Sequence, residues 1–293
     1  MATGDDERKA RIDAAPADLP TAFVHEARLR IFQPTRRPRS EVQVVEIESG
    51  PNRRVTIEYR ALQRPDGAFE VRALGQAHAD VLDAIRETAL DKKVDGAGRL
   101  MLLCDPAKVR KAAGVTASLT TVRERIEDIM GAVIEIREPR HLRDRGPLIG
   151  RFTDATVDGA AMTLPCNLSH TQRHASRAQR RLWLITIGDV GMRLVVNDIA
   201  ARYSVVDVAA LPSGISQAVA RWMLGQSASR QPNGGWKLDT VIEAVGGGDA
   251  GEGAMRHRRC ELRAARGDLS AMGIVIDGDQ RGERIFLARA ANA

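Results

Sequence analysis

Aromatic side chains and long apolar runs are both scarce in this sequence. Aromatic residues make up only 3% of the 293 residues. Proteins that bind single-stranded nucleic acid usually stack bases on aromatic rings, so the composition disfavours that class. No stretch approaches the roughly 18 consecutive apolar residues of a membrane helix. The first twenty residues also lack the apolar centre of a signal peptide. We therefore expect no membrane association and a cytoplasmic location.

Metal and cofactor sites lack their usual sequence signals. Cys104, Cys166 and Cys260 stand alone without CxxC spacing, which predicts reduced thiols and argues against zinc. The six histidines are dispersed. GGGDAG (246–251) matches Gly-x-Gly-x-x-Gly, but a helical pattern precedes it and an arginine-rich helix follows, whereas a dinucleotide site needs a βαβ unit. We expect no metal, no cofactor and a flexible link at 246–251.

Signals for catalysis are missing as well. A DNA-nicking enzyme would need a histidine pair for a metal and a nucleophilic tyrosine. Tyr59 and Tyr203 are the only tyrosines, and both lie in strand-like or helix-end contexts. His78, within a helical pattern, is most simply a surface group or a hydrogen-bonded core group. We assign no catalytic residue and expect that the protein is not an enzyme.

Positive charge is what the sequence has in excess. Lysine and arginine number 44 against 38 acids, which gives a formal net charge of +6. A basic balance points toward nucleic acid or another anionic surface. Hydrophobic residues make up 43% of the chain, enough for sizeable cores. With few aromatics for stacking, duplex DNA contacted by arginine fits better than single strands.

The first half of the chain has the element order of a winged helix. Residues 1–40 carry mixed charge and little periodicity, which predicts a flexible basic arm. Alternating and apolar runs then predict strands at 42–47, 53–59, 69–74, 99–105, 132–138 and 148–157, and helices at 75–90, 105–114 and 116–131. The charged segment EPRHLRDRGP is expected to form a loop between the last two strands. Helix, strand, helix, helix, strand, loop, strand is the order of a winged helix.

The second half repeats nearly the same order. Strands are predicted at 181–188 and 192–198, a helix at 213–226, a strand that turns into a helix at 236–246, a long helix at 251–272, and a hairpin over 273–279 and 283–289. The predicted fold class is α+β, with two tandem winged-helix (helix-turn-helix) domains. They span 41–165 and 181–293, and a basic linker, 166–180, joins them.

The long helix carries the strongest binding signal. Met255, Leu262 and Leu269 recur every seven positions, which predicts one buried face. Five arginines and a histidine lie within twelve residues beside one acid. The planar fork of arginine donates twice to guanine or to phosphate. The predicted DNA contacts are Arg256, His257, Arg258, Arg259, Arg263 and Arg266. The alternative is a solvated basic face.

Two further segments are predicted to contact DNA. In the helix of the first half, hydroxyls and arginines near the N-terminus suit phosphates or base edges. Acids at 124, 127 and 128 dilute that charge, so an ordinary amphipathic helix is the alternative. In the linker HTQRHASRAQRR (170–181), arginines are placed to cross a DNA backbone; a mobile loop is the alternative. The predicted contacts are Ser118, Thr120, Thr121, Arg123, Arg125, Arg173, Arg177, Arg180 and Arg181.

The chain resembles plasmid replication initiators of the IncQ and IncP types (the Rep family). The segment MRHRRCELRAARGDLSAMG (255–273) is similar to their C-terminal recognition helix. DVAALPSGISQAVARWML (207–224) looks like the helix that opens their second winged-helix domain. FQPTRRPRSEVQVVEI followed by LGQAHADVLDAI is similar to their first domain. The resemblance covers residues 28–293, while the arm at 1–27 matches nothing and the segment 138–180 is longer and more basic than in the family.

The resemblance implies a DNA-binding function in replication. Such initiators bind tandem repeats (iterons) in double-stranded DNA at a plasmid origin, help to open an adjacent AT-rich tract and recruit host replication proteins such as helicase and the host initiator. Some members form homodimers through the first domain. They are not themselves enzymes and carry no cofactor.

Three alternatives stay open at the level of sequence. A winged-helix transcriptional repressor that binds an operator would share most of these features. A DNA-processing enzyme would require nicking that depends on Tyr59 or Tyr203. RLRIF (28–32) resembles the short peptides that bind replication clamps, with Arg28 in place of the usual glutamine, but it also suits packing against the first domain.

Overall fold

The chain forms an α+β fold of helices and antiparallel sheets in a computed structural model. The model describes residues 22–23, 27, 30–35, 44–48, 54–59, 61–63, 69–116, 118–138, 141–155, 181–197, 200–226, 231–246, 251–278 and 282–288. Within those residues, no helix is both long enough and apolar enough to cross a membrane.

The described elements fall into a first unit and a second unit, each with its own core. The first contains β1 (Ala22–Phe23), β2 (Val44–Glu48), β3 (Arg54–Tyr59), β4 (Ala61–Gln63), β5 (Phe69–Val71), α1 (Gln76–Glu87), β6 (Ala89–Val94), β7 (Leu100–Cys104), α2 (Pro106–Ala112), α3 (Leu119–Gly131), β8 (Ala132–Glu138), β9 (His141–Gly146), β10 (Ile149–Ala155), β11 (Leu182–Ile187), α4 (Asp189–Asn197) and β12 (Ala200–Ala201). The second contains α5 (Val205–Ala210), α6 (Gly214–Leu224), β13 (Trp236–Lys237), α7 (Leu238–Ala244), α8 (Glu252–Ala264), α9 (Arg266–Ala271), β14 (Ile274–Asp277) and β15 (Arg284–Leu287).

In the first unit, α1, α2 and α3 pack together beside two four-stranded antiparallel sheets. The strand orders are β10–β11–β7–β6 and β2–β3–β8–β9. In a minimal winged helix, the strand between the first two helices would pair with the hairpin that follows the third. Here the hairpin β8–β9 pairs with β3, and β7 pairs with β6 and β11. The helices therefore follow the predicted order, but the sheet pairing differs from the predicted domain.

Residues 181–197 belong with the first unit and not, as predicted, with the second. β11 pairs with both β7 and β10, and Trp183, Ile185 and Ile187 are buried in the first core. Of the strand predicted at 192–198, residues 192–197 belong instead to the helix α4, in which Val190 and Leu194 lie one turn apart and are both buried; residue 198 lies outside the described residues. The predicted charged loop is likewise largely the strand β9.

From residue 213 onward, the second unit has the predicted element order, and the unpredicted helix α5 precedes it. α6, β13, α7, α8 with its continuation α9, and the hairpin β14–β15 follow one another, and the three strands form an antiparallel sheet in the order β13–β15–β14. Gly235 precedes β13 with φ +78°, and a Cβ there would lie 2.6 Å from the carbonyl oxygen of Ile285. Only glycine accepts both conditions, so this residue lets β13 approach β15.

A buried charged cluster joins the two units where α1 packs against α5 and α6. The Arg221 guanidinium donates to Asp80 Oδ1 at 2.7 Å, to Asp83 Oδ2 at 2.9 Å and to Gln76 Oε1 at 2.8 Å. Tyr203 donates to the same Asp83 oxygen at 2.9 Å. Burial acts to lower the pKa of Arg221, and the charges of Asp83 and Asp80 outweigh it and raise that pKa above its ordinary value. The cation therefore stays charged inside the junction.

The segment 30–35 also bridges the units. Ile31 and Phe32 are buried in the first core, and Arg30 Nε donates to the carbonyl oxygen of Ala244, at the end of α7, at 3.1 Å. The alternative of a free clamp-binding peptide at 28–32 does not fit this packing, because its two apolar anchors are already covered. In the structure, Ile31 and Phe32 pack against the first domain, which is the other alternative for this segment.

Candidate nucleic-acid interface

The helix α8 buries the face that the sequence predicted. Met255 and Leu262 are buried, and Ala265 and Leu269 continue the buried side into α9. These side chains pack with those of α6, α7 and the hairpin in the second core. The seven-residue recurrence of apolar side chains is thereby confirmed as the inward face, so the arginines lie along its flanks and outside.

Two of those arginines hold α8 against its neighbours. Arg259 donates two hydrogen bonds to Asp239 of α7, at 2.6 and 2.8 Å. Arg263 donates two to Glu283, directly before β15, at 2.7 and 2.9 Å. Hydrogen bonding to the carboxylate raises the pKa of each arginine. Paired bonds of this kind fix orientation as well as charge, so these two predicted DNA contacts also position the helix.

The other basic side chains of α8 and α9 are exposed, except that of Arg258. Arg256 is exposed, and no carboxylate of the described residues forms an ion pair with it. His257 is exposed and lies 3.1 Å from Glu261 one turn on. Arg266 is exposed, with Asp277 at 3.9 Å. Arg258 is half-buried, and its enclosed Nη1 has no hydrogen-bond acceptor among the described residues. The exposed charge of α8 is thus concentrated at Arg256 in its first turns.

Apart from the exposed acid Glu252 in the first turn, the exposed side of α8 is otherwise built from small residues. Gly253, Cys260 and Ala264 are exposed between the charged positions, and Gly267 follows at the start of α9. Side chains of this size let a helix backbone approach a flat or grooved surface closely. The outer surface of α8 therefore combines the projecting side chain of Arg256 with small side chains that leave the helix backbone accessible.

The equivalent helix in the first unit uses its arginine differently. Arg123 of α3 pairs with Asp154 and lies over the rings of Phe152 and Trp183, with its Cζ 5.2 and 5.4 Å from their centroids. Its guanidinium is therefore part of the contact between α3 and the sheet β10–β11. Arg125 is half-buried. These positions favour the alternative of an ordinary amphipathic helix.

The polar residues at the start of α3 remain accessible. Ser118 is exposed and makes no side-chain cap hydrogen bond, Thr120 is exposed and Thr121 is half-buried. The exposed acids Glu124 and Glu127 follow on the outer side. Hydroxyls at a helix N-terminus suit phosphate, but the acids one and two turns on do not.

The whole of the predicted basic linker, 166–180, lies outside the described residues, and with it Arg173, Arg177 and Arg180. Arg181 comes directly before β11 and is half-buried. This last predicted contact therefore lies at the start of a core strand.

His78 is a hydrogen-bonded core group, one of the two alternatives foreseen. Its Nδ1 accepts from the backbone N–H of Gly75 at 3.0 Å, so the ring proton is on Nε2, which lies 3.2 Å from Asp128 Oδ2. Across the described parts of the chain, no group of three or more His, Cys, Asp or Glu side chains is arranged to hold a metal ion.

Sequence reasoning missed one charged surface, on α2. Lys108, Arg110 and Lys111 are all exposed there. The signal was present, because no acid lies between residues 106 and 116. The segment is too short for its apolar spacing to show which side is exposed, so the sequence alone predicts only a helix ahead of the predicted recognition helix.

Comparisons with known proteins leave the family open. The sequence matches no protein-family model, and no curated protein is significantly similar to it. Its fold was compared with solved structures, among them a crystal structure of domains 2 and 3 of RctB, determined as selenomethionine derivatives. That similarity covers 86% of this chain and 88% of the other, at 11% sequence identity and a TM-score of 0.45. A likeness at this level is too distant to carry function from one protein to the other.

Proposed function

We propose that this protein binds duplex DNA through the outer surface of α8 and acts as a replication initiator at repeated origin sequences. The observation that carries the proposal is the setting of α8 in the second unit. It is the third helix before an antiparallel hairpin, and its inner face is buried. Two bidentate arginine pairs hold it in place, while Arg256 projects from its first turns.

This setting supports a winged-helix mode of binding. In that mode, the third helix enters the major groove with its N-terminal residues against base edges, and the hairpin flanks it. Arg256 lies in the first turns of α8 and would donate its fork to a guanine or a phosphate. Arg259 and Arg263 would act by keeping α8 rigid, since a helix that enters a groove loses little entropy if it is already fixed.

The role in replication rests on the resemblance of 255–273 and 207–224 to plasmid initiators. In this role, the DNA target would be tandem repeats, and the partners would be the host helicase and the host initiator. The protein itself would catalyse no step. The two units would contact one stretch of duplex together. Each would raise the effective concentration of the other at the site.

The test is footprinting on the DNA that encodes the gene, repeated across a salt series. Protection that recurs along tandem sites at whole helical turns supports the initiator. A single symmetric footprint would instead make the protein a repressor at an operator. If no sequence is protected above background at any salt concentration, the DNA-binding proposal is wrong.

Replacing Arg256 with alanine tests the surface itself. If Arg256 contacts a base, the variant loses about 1–3 kcal/mol of binding free energy at its cognate site, and a phosphate contact would weaken binding to all sequences alike. Arg151→Ala is the matched control, because Arg151 is an exposed arginine on β10 of the first unit. Equal affinities for the Arg256→Ala variant and the control would remove α8 from the interface.

A further inference from the structure

The helix α2 carries a continuous cationic surface. At about 100° per residue, its three buried residues, Pro106, Val109 and Ala112, lie on one side of the helix. Lys108, Arg110 and Lys111 span the opposite arc of about 160°, and all three are exposed. Every long side chain on the solvent side of α2 is therefore a cation.

These charges are not compensated locally. Within the part of the chain that the structure describes, no carboxylate forms an ion pair with Lys108, Arg110 or Lys111. The one acid next to the helix, Asp105, is buried and caps its N-terminus by accepting from the Ala107 N–H at 2.9 Å. On α3, by contrast, the cation Arg123 is paired and the exposed acids Glu124 and Glu127 face solvent. The free positive charge of this helix pair lies on α2.

We infer that the exposed surface of α2, formed by Lys108, Arg110 and Lys111, contacts DNA phosphates. The inference rests on the proposed DNA-binding function and assigns to it a surface in the first unit. Lysine acts as a flexible point charge, which suits phosphates better than the directional pattern of base edges.

Because of the position of α2 in the fold, a phosphate contact there would add its binding free energy to that of α8. α2 packs against α1, α3 and α5, and a Cβ added at Gly114, just after α2, would lie 3.4 Å from Ala209 Cβ of α5. α5 contributes Val205 to the first core and Val208 to the second, so α2 lies at the junction and has a fixed position relative to both cores. A phosphate held there adds to the contacts of α8 without the entropy cost of ordering a linker.

The experiment compares the wild type with the triple variant K108Q/R110Q/K111Q. Binding to a mixed-sequence duplex of about 30 base pairs is measured by fluorescence anisotropy between about 50 and 300 mM NaCl, a range in which counterion release dominates. Sequence-independent phosphate contacts need no cognate site. The single variants R110Q and R151Q form the matched pair, because each replaces one exposed arginine of the first unit with glutamine.

The slope of log affinity against log salt should fall in magnitude by about 3 for the triple variant and by about 1 for R110Q. At about 100 mM salt, each lost contact should weaken binding roughly five- to tenfold. R151Q should match the wild type in both quantities. Circular dichroism and melting should be unchanged in all variants, since the substituted side chains are exposed.

The outcomes separate this inference from the proposal on which it rests. If the wild type binds the duplex and R256A weakens it, but the triple variant has the slope and affinity of R151Q, α2 is not a phosphate contact while α8 keeps its role. If the triple variant loses slope and R256A has no effect either on this duplex or at the footprinted cognate site, α2 binds DNA and the assignment of α8 fails. If the wild type shows no salt-dependent binding, both are wrong.

Discussion

The helices α3 and α8 hold equivalent positions in the order of their units, yet they use arginine in opposite ways. On α3, Arg123 turns inward, pairs with Asp154 and covers two aromatic rings. On α8, Arg259 and Arg263 pair sideways with neighbouring elements, and Arg256 is left to solvent. The difference lies in the positions of the carboxylates. Asp154, which pairs with Arg123, is on the sheet beneath α3, whereas Asp239 and Glu283, which pair with Arg259 and Arg263, are on elements beside α8.

The comparison shows that the number of arginines on a helix is a poor measure of its binding capacity. Of the five arginines between residues 256 and 266, Arg259 and Arg263 form ion pairs, Arg266 lies 3.9 Å from Asp277 and Arg258 is half-buried. Arg256 alone is exposed without an ion pair among the described residues. What counts is the charge that remains exposed and uncompensated after folding. By that measure, α8 and α2 each carry a candidate DNA-binding surface, and α3 carries none.

The largest expected effects come from the buried sides of the two helices. Ile126 of α3 and Leu262 of α8 are both completely buried. Each Ile126→Ala or Leu262→Ala change should lower the free energy of unfolding by about 2–5 kcal/mol, because it removes apolar contacts and leaves a cavity. Urea unfolding followed by circular dichroism measures both losses.

The conservative change Leu262→Met is the control and should cost less than about 1.5 kcal/mol. A loss for Leu262→Ala that is no larger than that for Leu262→Met would mean that α8 is not packed as described. It would also end the equivalence of the two helices on their inner faces.

A smaller effect should separate the two arginines directly. Arg123→Ala should lower the free energy of unfolding by about 1–2 kcal/mol, the combined contribution of a cation–π contact and a partly exposed ion pair. Arg256→Ala should change it by less than about 0.5 kcal/mol, since it is an exposed substitution without a partner. Thermal and urea unfolding of the two variants under one buffer condition provide the measurement.

Binding of the same two variants to duplex DNA should show the reverse order. Arg123→Ala should bind as the wild type does, provided that the measurement is made well below its melting temperature. If Arg123→Ala weakens DNA binding as much as Arg256→Ala, the two helices share one function and the contrast between them disappears.

The least perturbing test labels cysteines on the outer surfaces. Cys260 of α8 is exposed and should react with a thiol reagent, whereas Cys104 is buried, and burial raises its pKa to about 12, which keeps it unreactive. Duplex DNA should slow the labelling of Cys260 severalfold in a Cys166→Ser background. Stopped-time labelling with mass spectrometry reports each site separately.

The matched position on α3 is Glu127, which is exposed. In a Cys166→Ser/Cys260→Ser background, a Glu127→Cys thiol should react at the same rate with and without duplex DNA. Equal protection at both positions would indicate that DNA covers the two helices alike.

Local patterns predicted most helices and strands, and tertiary contacts decided the rest. The apolar spacing at 255, 262 and 269 identified both the helix and its inner face. Asp239 and Glu283, which hold Arg259 and Arg263, are each twenty residues away in sequence on opposite sides, so helical periodicity does not reveal them. The same separation explains why six candidate DNA contacts were predicted where fewer side chains project.

Strand pairing was the least predictable feature of the fold. The apolar run 182–187 identifies a strand, but only the pairing with β7 and β10 assigns it to the first unit. Residues 192–198 contain valines that favour a strand, and the burial of Val190 and Leu194 one turn apart selects a helix instead. The sequence shows the three cations of α2, but it does not predict that all three side chains are exposed.

The buried junction has a consequence for the geometry of any DNA that both units contact. Rotating α6 against α1 would move the Arg221 guanidinium away from Asp80 and Asp83 while the interface stays buried, and two buried carboxylates without their cation are strongly unfavourable. The units therefore do not swivel freely, and the angular phase between α2 and α8 is fixed by protein rather than by the nucleic acid. A duplex lengthened by about five base pairs between the two contacts turns one of them to the far side of the helix. In the proposed binding mode, affinity would depend on the twist of the DNA between the two contacts as well as on its sequence.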